Sequence, residues 1–505
     1  MKLSKTKITH ISIYQLLWHS LPIIALFLFS FLCLNNNLDY DESYSASMVT
    51  LSFKEILNIT SFDVHPPLYY FTAKIFYVFL SPLFSFASLK IMSLLFSFGY
   101  FLLLKFYGKK LFGIKASVYS MMLSLLLPLT LVQSTTARMY TFSLFFLTLS
   151  VYLMFDILKA SSTKKWIVFT CTSIITIYCH TYTMIMLFLL FITLFMCLCF
   201  LKNKKDMISF MLSGFITALS YLPWLNILLT QTSDKIVENS SISSRTITDL
   251  KDLLFFSKIG LFSSDYIPNN KNANIYLTIM IVITIFSIIY FIKLIKNNKS
   301  NVKKVITKDY IVELFPLIGI CIFITTIAIG LILSLFTTQG FLIRYAFPGL
   351  VLLTLWLSTG LKQLNNKIAI GSIFILMTLL FTSEYKIQLE IENTDGLDIF
   401  NSYIDTNIDE NDWIIGPTEH TVFLSINHPK IQFFQYGYKS PFMPFKNVDA
   451  FREWHQLDHL NDYGYYVCFR GDRPDVFNNN FTYELVLEFN HMYYEFDLFK
   501  LTPIK

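Results

Sequence analysis

Apolar residues arrive along this chain in long unbroken blocks. They are dominated by Leu, Ile and Phe and are separated by short polar stretches. Each block is close to the roughly 20 residues a helix needs to cross a hydrocarbon core of about 30 Å. Continuous blocks exclude a transmembrane β-barrel, whose strands alternate between lipid-facing and lumen-facing residues. The pattern predicts about eleven spans, at about 15–34, 84–104, 116–132, 141–158, 166–180, 183–201, 207–229, 274–292, 311–336, 342–361 and 368–383. The stretch from 166 to 201 is too long for one span, so it is divided at Tyr178-Cys179-His180-Thr181-Tyr182, a polar turn. The first block lacks the small-residue cleavage site of a signal peptide and is read as the first span.

Shorter patterns lie between the blocks. Residues 44–58 are amphipathic, and 66–80 open with Pro66-Pro67, where proline suits the first turn of a helix. Both predict helices lying on the membrane rather than through it, and 246–260, within the loop 230–273, is a similar candidate. After residue 384 the pattern changes. Asp, Glu, Asn and aromatics surround short strand-like runs at Trp413-Ile414-Ile415, Tyr465-Tyr466-Val467-Cys468-Phe469 and Tyr483-Glu484-Leu485-Val486-Leu487. The expected architecture is therefore an α-helical polytopic membrane domain over residues 1–384 and a small soluble α/β domain over 385–505.

Composition agrees with the pattern. Only 15% of the 505 residues are charged and 54% are hydrophobic, against about 25% charged in soluble globular proteins. The net charge of +6 comes from lysines between the blocks. A nucleic-acid-binding protein would gather such charge on one soluble face. Here Lys2, Lys5 and Lys7, then Lys105, Lys109 and Lys110, Lys164 and Lys165, Lys202, Lys204 and Lys205, Lys293, Lys296, Lys303 and Lys304, and Lys362 and Lys367 occupy alternate loops. That distribution places those loops and the N-terminus in the cytoplasm of a multi-pass cell-membrane protein. The loops 35–83, 133–140, 180–183, 230–273 and 337–341, with everything after 384, then face outward. The seven cysteines lie mostly within apolar blocks, show no metal-ligand spacing and read as packing residues.

Ionisable groups beside spans carry a functional expectation because burying them in the bilayer is costly. Asn37-Leu38-Asp39-Tyr40-Asp41-Glu42-Ser43-Tyr44-Ser45 places three carboxylates directly after the first span. They suit a general base or a metal site, or equally a solvated loop that caps the next helix. In Asp63-Val64-His65-Pro66-Pro67-Leu68-Tyr69-Tyr70 the diproline holds Asp63 and His65 in a fixed relation, for chemistry or simply as a helix cap. Arg138, in Ala137-Arg138-Met139-Tyr140, and Arg344, in Leu342-Ile343-Arg344-Tyr345, sit at outer span ends. Each arginine suits a phosphate held by two parallel hydrogen bonds, with Tyr140 or Tyr345 as a further donor, or a snorkelling contact with lipid headgroups. His180 reads first as a residue bonded to its own turn.

Taken in order, Asp41-Glu42, the Asp63-to-Tyr70 motif, Ala137-Arg138-Met139-Tyr140 and Arg344-Tyr345 resemble the GT-C glycosyltransferases. The nearest resemblance is to the bacterial branch of the protein O-mannosyltransferase and aminoarabinose transferase superfamily, over roughly residues 10–384. The resemblance implies an inverting transfer of a sugar from a polyprenyl-phosphate carrier to an acceptor (protein, glycan or lipid) at the outer face. It assigns the base to Asp41, with Glu42 beside it. Arg344 first and Arg138 second, assisted by Tyr345 and Tyr140, would face the leaving phosphate, and Asp63 and His65 would complete substrate binding. Relatives often carry a glutamate where Thr136 stands, which moves the second acidic contact to Asp63. A divalent cation held by Asp41, Asp63 and His65 is compatible with the pattern, and Glu42 is a further ligand candidate. A flippase or exporter of lipid-linked sugars would share the spans and basic residues. Such transporters are expected to show internal repeats and mid-membrane polar residues, and neither is visible here.

Overall fold

The structure, a computed structural model, describes residues 12–63, 65–237, 271–299, 307–334, 341–364, 366–394, 396–417, 424–436, 448–451, 464–472, 481–491 and 494–504. The helix expected at 246–260, most of the turn at 337–341, and Lys2, Lys5, Lys7, Lys303 and Lys304 lie outside them. The chain divides into two compact units, one formed by 1–31, 94–134 and 140–382, the other by 32–93, 135–139 and 383–505.

Over their described residues the eleven predicted blocks are almost wholly helical. In order they are α1 (Ile13–Cys33), α5 (Ala87–Leu103, continued through a π-turn at Leu104–Gly108 into α6, Lys109–Phe112), α7 (Ile114–Leu126) with α8 (Pro128–Thr135), α9 (Tyr140–Lys159), α10 (Thr163–Ile177) and α11 (Thr181–Phe200). They continue as α12 (Lys204–Val237), α13 (Lys271–Lys299), α14 (Lys308–Ser334), a 3-10 turn (Ile343–Gly349) leading into α15 (Leu350–Gln363), and α16 (Lys367–Glu392). Among the described residues eight helices are long and apolar enough by themselves to cross a membrane. The pair α7 and α8 makes a ninth if counted as one bent span; α10 and α15, with 15 and 14 residues, are shorter.

The first unit is the helical bundle. Its α7 and α8 meet at 72°, because Pro128 forces the residue before it out of the helical region and Leu127 is extended (φ −84°, ψ 127°). The helix α9 is largely enclosed, with most of its residues buried. Where α13 crosses α15, Gly360 lies so close to the Ile283 carbonyl that any side chain would collide with it. A small residue allows two membrane helices this approach. Large apolar side chains such as Phe188, Ile208, Ile368 and Leu379 point outward on the bundle, a surface suited to lipid rather than water.

The second unit joins short helices to a sheet. The single amphipathic helix expected over 44–58 is instead two, α2 (Tyr40–Thr50) and α3 (Phe53–Thr60). Leu51 and Ser52 are extended, and Ser52 starts α3 with a reciprocal capping box to Glu55. That box satisfies N–H groups that a continuous helix would have used internally, so it favours the break. The helix α4 (Leu68–Phe84) follows the diproline with Pro67 at its N-cap and no side-chain cap. Neither Asp63 nor His65 therefore serves as the helix cap.

Beyond α17 (Gly396–Asn407) come β1 (Trp413–Pro417), β2 (Gln432–Tyr436), β3 (Val448–Phe451), β4 (Gly464–Phe469), β5 (Phe481–His491) and β6 (Tyr494–Pro503). All three predicted strand runs are strands. The sheet order is β3-β2-β1-β4-β6-β5, parallel from β3 through β4 and antiparallel at β6 and β5. Leu397, Phe400 and Ile404 of α17 bury against Ile414, Phe433, Val467 and Leu498, and Tyr44 of α2 packs on the same core. Local pattern thus produces the strands, and their apolar face recruits both α17 and the helix that carries Asp41.

Candidate active site

The three clustered carboxylates have separate surroundings. Asp39 is the N-cap of α2, its carboxylate accepting from the Glu42 N–H at 2.7 Å, while Glu42 returns the bond to the Asp39 N–H at 3.1 Å. The second Glu42 oxygen accepts from the Ala137 N–H at 2.7 Å. Glu42 is only 2% exposed, so it ties the start of α2 to the turn before Arg138. Burial, the largest influence, pushes its carboxyl up to about 8, with Asp39 and Glu392 adding to the rise. Lys90 and the Ala137 N–H act the other way. Asp41 differs: its side chain is 26% exposed.

Arg138 braces that helix. Its guanidinium donates to the Asp41 carbonyl at 3.0 Å and to the Ser45 hydroxyl at 3.4 Å, and it lies 3.8 Å from the Asp41 carboxylate. The arginine side chain is 7% exposed. A buried cation beside a partly exposed carboxylate gives that carboxylate a fixed orientation. At the other end of α2 the Lys74 ammonium donates to the Val49 carbonyl at 3.0 Å, where a cation suits the negative end of a helix.

The diproline motif reaches the same cluster through its tyrosines. Tyr69 and Tyr70 are fully buried. Burial holds the Tyr70 hydroxyl well above its ordinary range; Arg138 opposes the rise, and Asp63 and Asp41 reinforce it. Asp41, Asp63 and Arg138 therefore all act on one phenol. His65 is buried just before α4, and Asp63 closes α3 through its own N–H, which donates to the Ile59 and Thr60 carbonyls.

A second tier, absent from the sequence reading, supports this arrangement. Lys90 of α5 is wholly buried and pairs with Glu392 of α16 at 2.7 Å, also donating to Asn35 at 3.0 Å. Gln388 donates to Glu392 at 3.2 Å. The Asn37 amide donates to the Glu392 and Thr394 carbonyls at 2.8 and 2.9 Å, and the His491 ring nitrogen meets the Leu38 carbonyl at 2.9 Å. The strand of chain leading into Asp39 is thus held by α16 and β5. A lysine buried within a span was the signal available in the sequence, since such a charge requires a partner.

The remaining candidates belong to the helical unit. Tyr345 stacks on Tyr182 (5.4 Å, 15°), with Tyr140 at 6.5 Å and the His180 ring at 5.2 Å. His180 accepts from the Tyr182 N–H at 3.2 Å as the N-cap of α11, which is the local role its sequence suggested. Arg344 lies second in the 3-10 turn, one residue before Tyr345, and is half-buried. Among the described residues no group of three or more His, Cys, Asp or Glu side chains gathers closely enough to hold a metal ion.

No family model and no curated protein sequence matches the chain. Similar folds do appear among solved structures. The apo crystal structure of ArnT from Cupriavidus metallidurans is 12% identical, with a TM-score of 0.59 over 96% of this chain and 97% of that one. The same protein bound to undecaprenyl phosphate is 11% identical, with a TM-score of 0.59 and the same coverage. The archaeal oligosaccharyltransferase AglB from Archaeoglobus fulgidus, in complex with an inhibitory peptide and a dolichol-phosphate, is 12% identical. Its TM-score is 0.50 over 91% of this chain and 70% of that one. A multi-pass helical bundle joined to a C-terminal sheet, matched at nearly full length, gives this chain the GT-C fold.

Proposed function

We propose that this protein is a membrane glycosyltransferase that moves a sugar from a polyprenyl-phosphate carrier to an acceptor hydroxyl at the outer face of the membrane. The observation that carries the reading is the pairing of a partly exposed carboxylate, Asp41, with a buried guanidinium, Arg138, on a doubly capped helix. The similarity in fold to ArnT bound to undecaprenyl phosphate and to AglB bound to a dolichol-phosphate supports a lipid-phosphate donor. The N-terminus is cytoplasmic and the region after residue 384 is extracytoplasmic, as the lysine distribution indicates.

In this reaction the Asp41 carboxylate takes the acceptor hydroxyl proton while that oxygen attacks the anomeric carbon. The bond from that carbon to the phosphate oxygen breaks, and the polyprenyl phosphate leaves with the electron pair. Attack opposite the leaving group inverts the configuration. Arg138, already committed to α2, orients Asp41. Glu42 is likewise a positioning residue, because both its oxygens hold main-chain N–H groups. Arg344 and Tyr345 remain the donors for the leaving phosphate on the strength of their motif, and Asp63 and His65 remain substrate contacts. No step in this scheme passes through a metal ion.

The test uses protein in vesicles supplied with a panel of undecaprenyl-phosphate sugars, with release of undecaprenyl phosphate as the readout. Asp41→Asn should slow release by about 10²–10⁴-fold, the range for a lost general base. Asp405→Asn, an exposed position on α17, should leave it unchanged. Full activity in the Asp41 variant removes Asp41 from the base role.

A further inference from the structure

We propose that the crevice among α10, α11 and α12 binds one acyl chain of a glycerolipid, whose ester carbonyl accepts hydrogen bonds from Thr217 and Tyr221. This inference is independent of the catalytic reading. The cavity measures about 580 Å³ and is bounded by Ile177, Met184, Phe191, Phe195, Phe210 and Gly214, among others, a size within the usual range for ligand pockets. It opens sideways on the lipid-facing surface, where Phe188 and Leu222 of its rim are 64% and 54% exposed. Gly214 leaves the wall open: a methyl group there would meet only Phe191, at 3.8 Å.

A crevice lined only by hydrocarbon would take any lipid tail. Two of its lining residues are not hydrocarbon. Thr217 and Tyr221 are 7% and 8% exposed, and among the described residues neither hydroxyl has a hydrogen-bond partner. A buried hydroxyl without a partner is costly, so an occupant supplying an acceptor is favoured over one that does not. An isoprenoid tail carries no oxygen and leaves both hydroxyls unmatched. A fatty-acyl ester carries a carbonyl at the head of its chain.

Depth agrees with that choice. Tyr221 lies 16 residues beyond Lys205, or about 24 Å along the helix, close to the thickness of a hydrocarbon core. Trp224 follows one turn later, and Tyr178 sits 5.1 Å from the Tyr221 ring, as expected of an interfacial aromatic belt. At that level lie the glycerol esters of the leaflet opposite the Lys202–Lys205 loop. The acyl chain then runs back from Tyr221 toward Phe195 and Phe210.

The experiment is native mass spectrometry of the full chain in detergent. It is supplied with dioleoyl phosphatidylglycerol, its diether analogue with equal chain length, or undecaprenyl phosphate. Wild type should hold one diester lipid and retain it roughly fivefold to a hundredfold better than the diether, the worth of the two hydrogen bonds. Thr217→Val with Tyr221→Phe should erase that preference, and Ala218→Phe should fill the crevice and release the lipid. Ala218→Leu and a thermal melt accompany it as folding controls, and the ester-against-ether comparison in wild type needs no variant. Equal retention of diester and diether by wild type overturns the proposal. So does undecaprenyl phosphate displacing the diester from wild type, or undiminished retention in well-folded Ala218→Phe.

Discussion

Replacing Glu42 by glutamine separates the two roles a buried carboxylate beside Asp41 can have. In the native protein its two oxygens each accept a main-chain N–H, from Ala137 at 2.7 Å and Asp39 at 3.1 Å. Glutamine retains one acceptor and turns an N–H₂ donor toward the other N–H. One hydrogen bond to a main-chain N–H is lost, worth about 0.5–1.5 kcal/mol for the protonated carboxyl, and that N–H is left facing a donor. Against this stands the cost of burying the charge. The Glu42 carboxyl is raised from 4.5 to about 8, first by burial. The folded state therefore holds this proton more tightly than the unfolded chain does. The resulting stability is fully present below about pH 4.5 and is lost as pH rises through about 8. Glutamine has no proton to lose, so Glu42→Gln should be the less stable protein at pH 5, with the gap narrowing steadily toward pH 8.5. Thermal melts of both proteins in detergent across that range measure the gap. Activity at pH 6.5 should fall through kcat more than through KM for the donor, since Asp41 and Arg138 lose a shared support. Parallel melting curves across the pH range would refute the burial argument, and loss of activity only through donor KM would refute the positioning role.

Three further outcomes follow from the same geometry. Lys90→Met leaves Glu392 buried and uncompensated and should cost about 3–5 kcal/mol; Lys90→Met with Glu392→Met should recover most of it, read as a restored melting temperature. Arg138→Lys keeps the charge but not the planar fork that reaches the Asp41 carbonyl and Ser45. It should lower kcat by about 10–10²-fold through misplacement of Asp41 while donor binding, measured separately, stays within about twofold; weakened donor binding at unchanged kcat would instead make Arg138 a phosphate ligand. Gly396→Ala places a methyl group on the Asn490 main chain, so α17 must shift from the sheet, and limited proteolysis should cut the C-terminal region faster than in wild type.

Much of this protein is legible one segment at a time. The spans follow from apolar blocks of bilayer length, and the strands Trp413–Pro417, Gly464–Phe469 and Phe481–His491 follow from short aromatic and β-branched runs. The broken helix over 44–58 was legible too, in the Ser52-x-x-Glu55 pair, but helical periodicity outweighed it. These are local properties: a turn of helix, a cap or a strand responds to residues within a few positions, and membrane insertion sums hydrophobicity over about twenty. The site required more. That Asp41 stays partly exposed while Glu42 is sealed depends on the Ala137 N–H, nearly a hundred residues away in the chain, and the support beneath them depends on Lys90 meeting Glu392 across 302 residues. Adjacent carboxylates look alike in a sequence because their difference lies in what surrounds them. Burial, donors and counter-charges come from distant segments, and only tertiary packing selects which of three acids faces solvent and which two hold the helix in place.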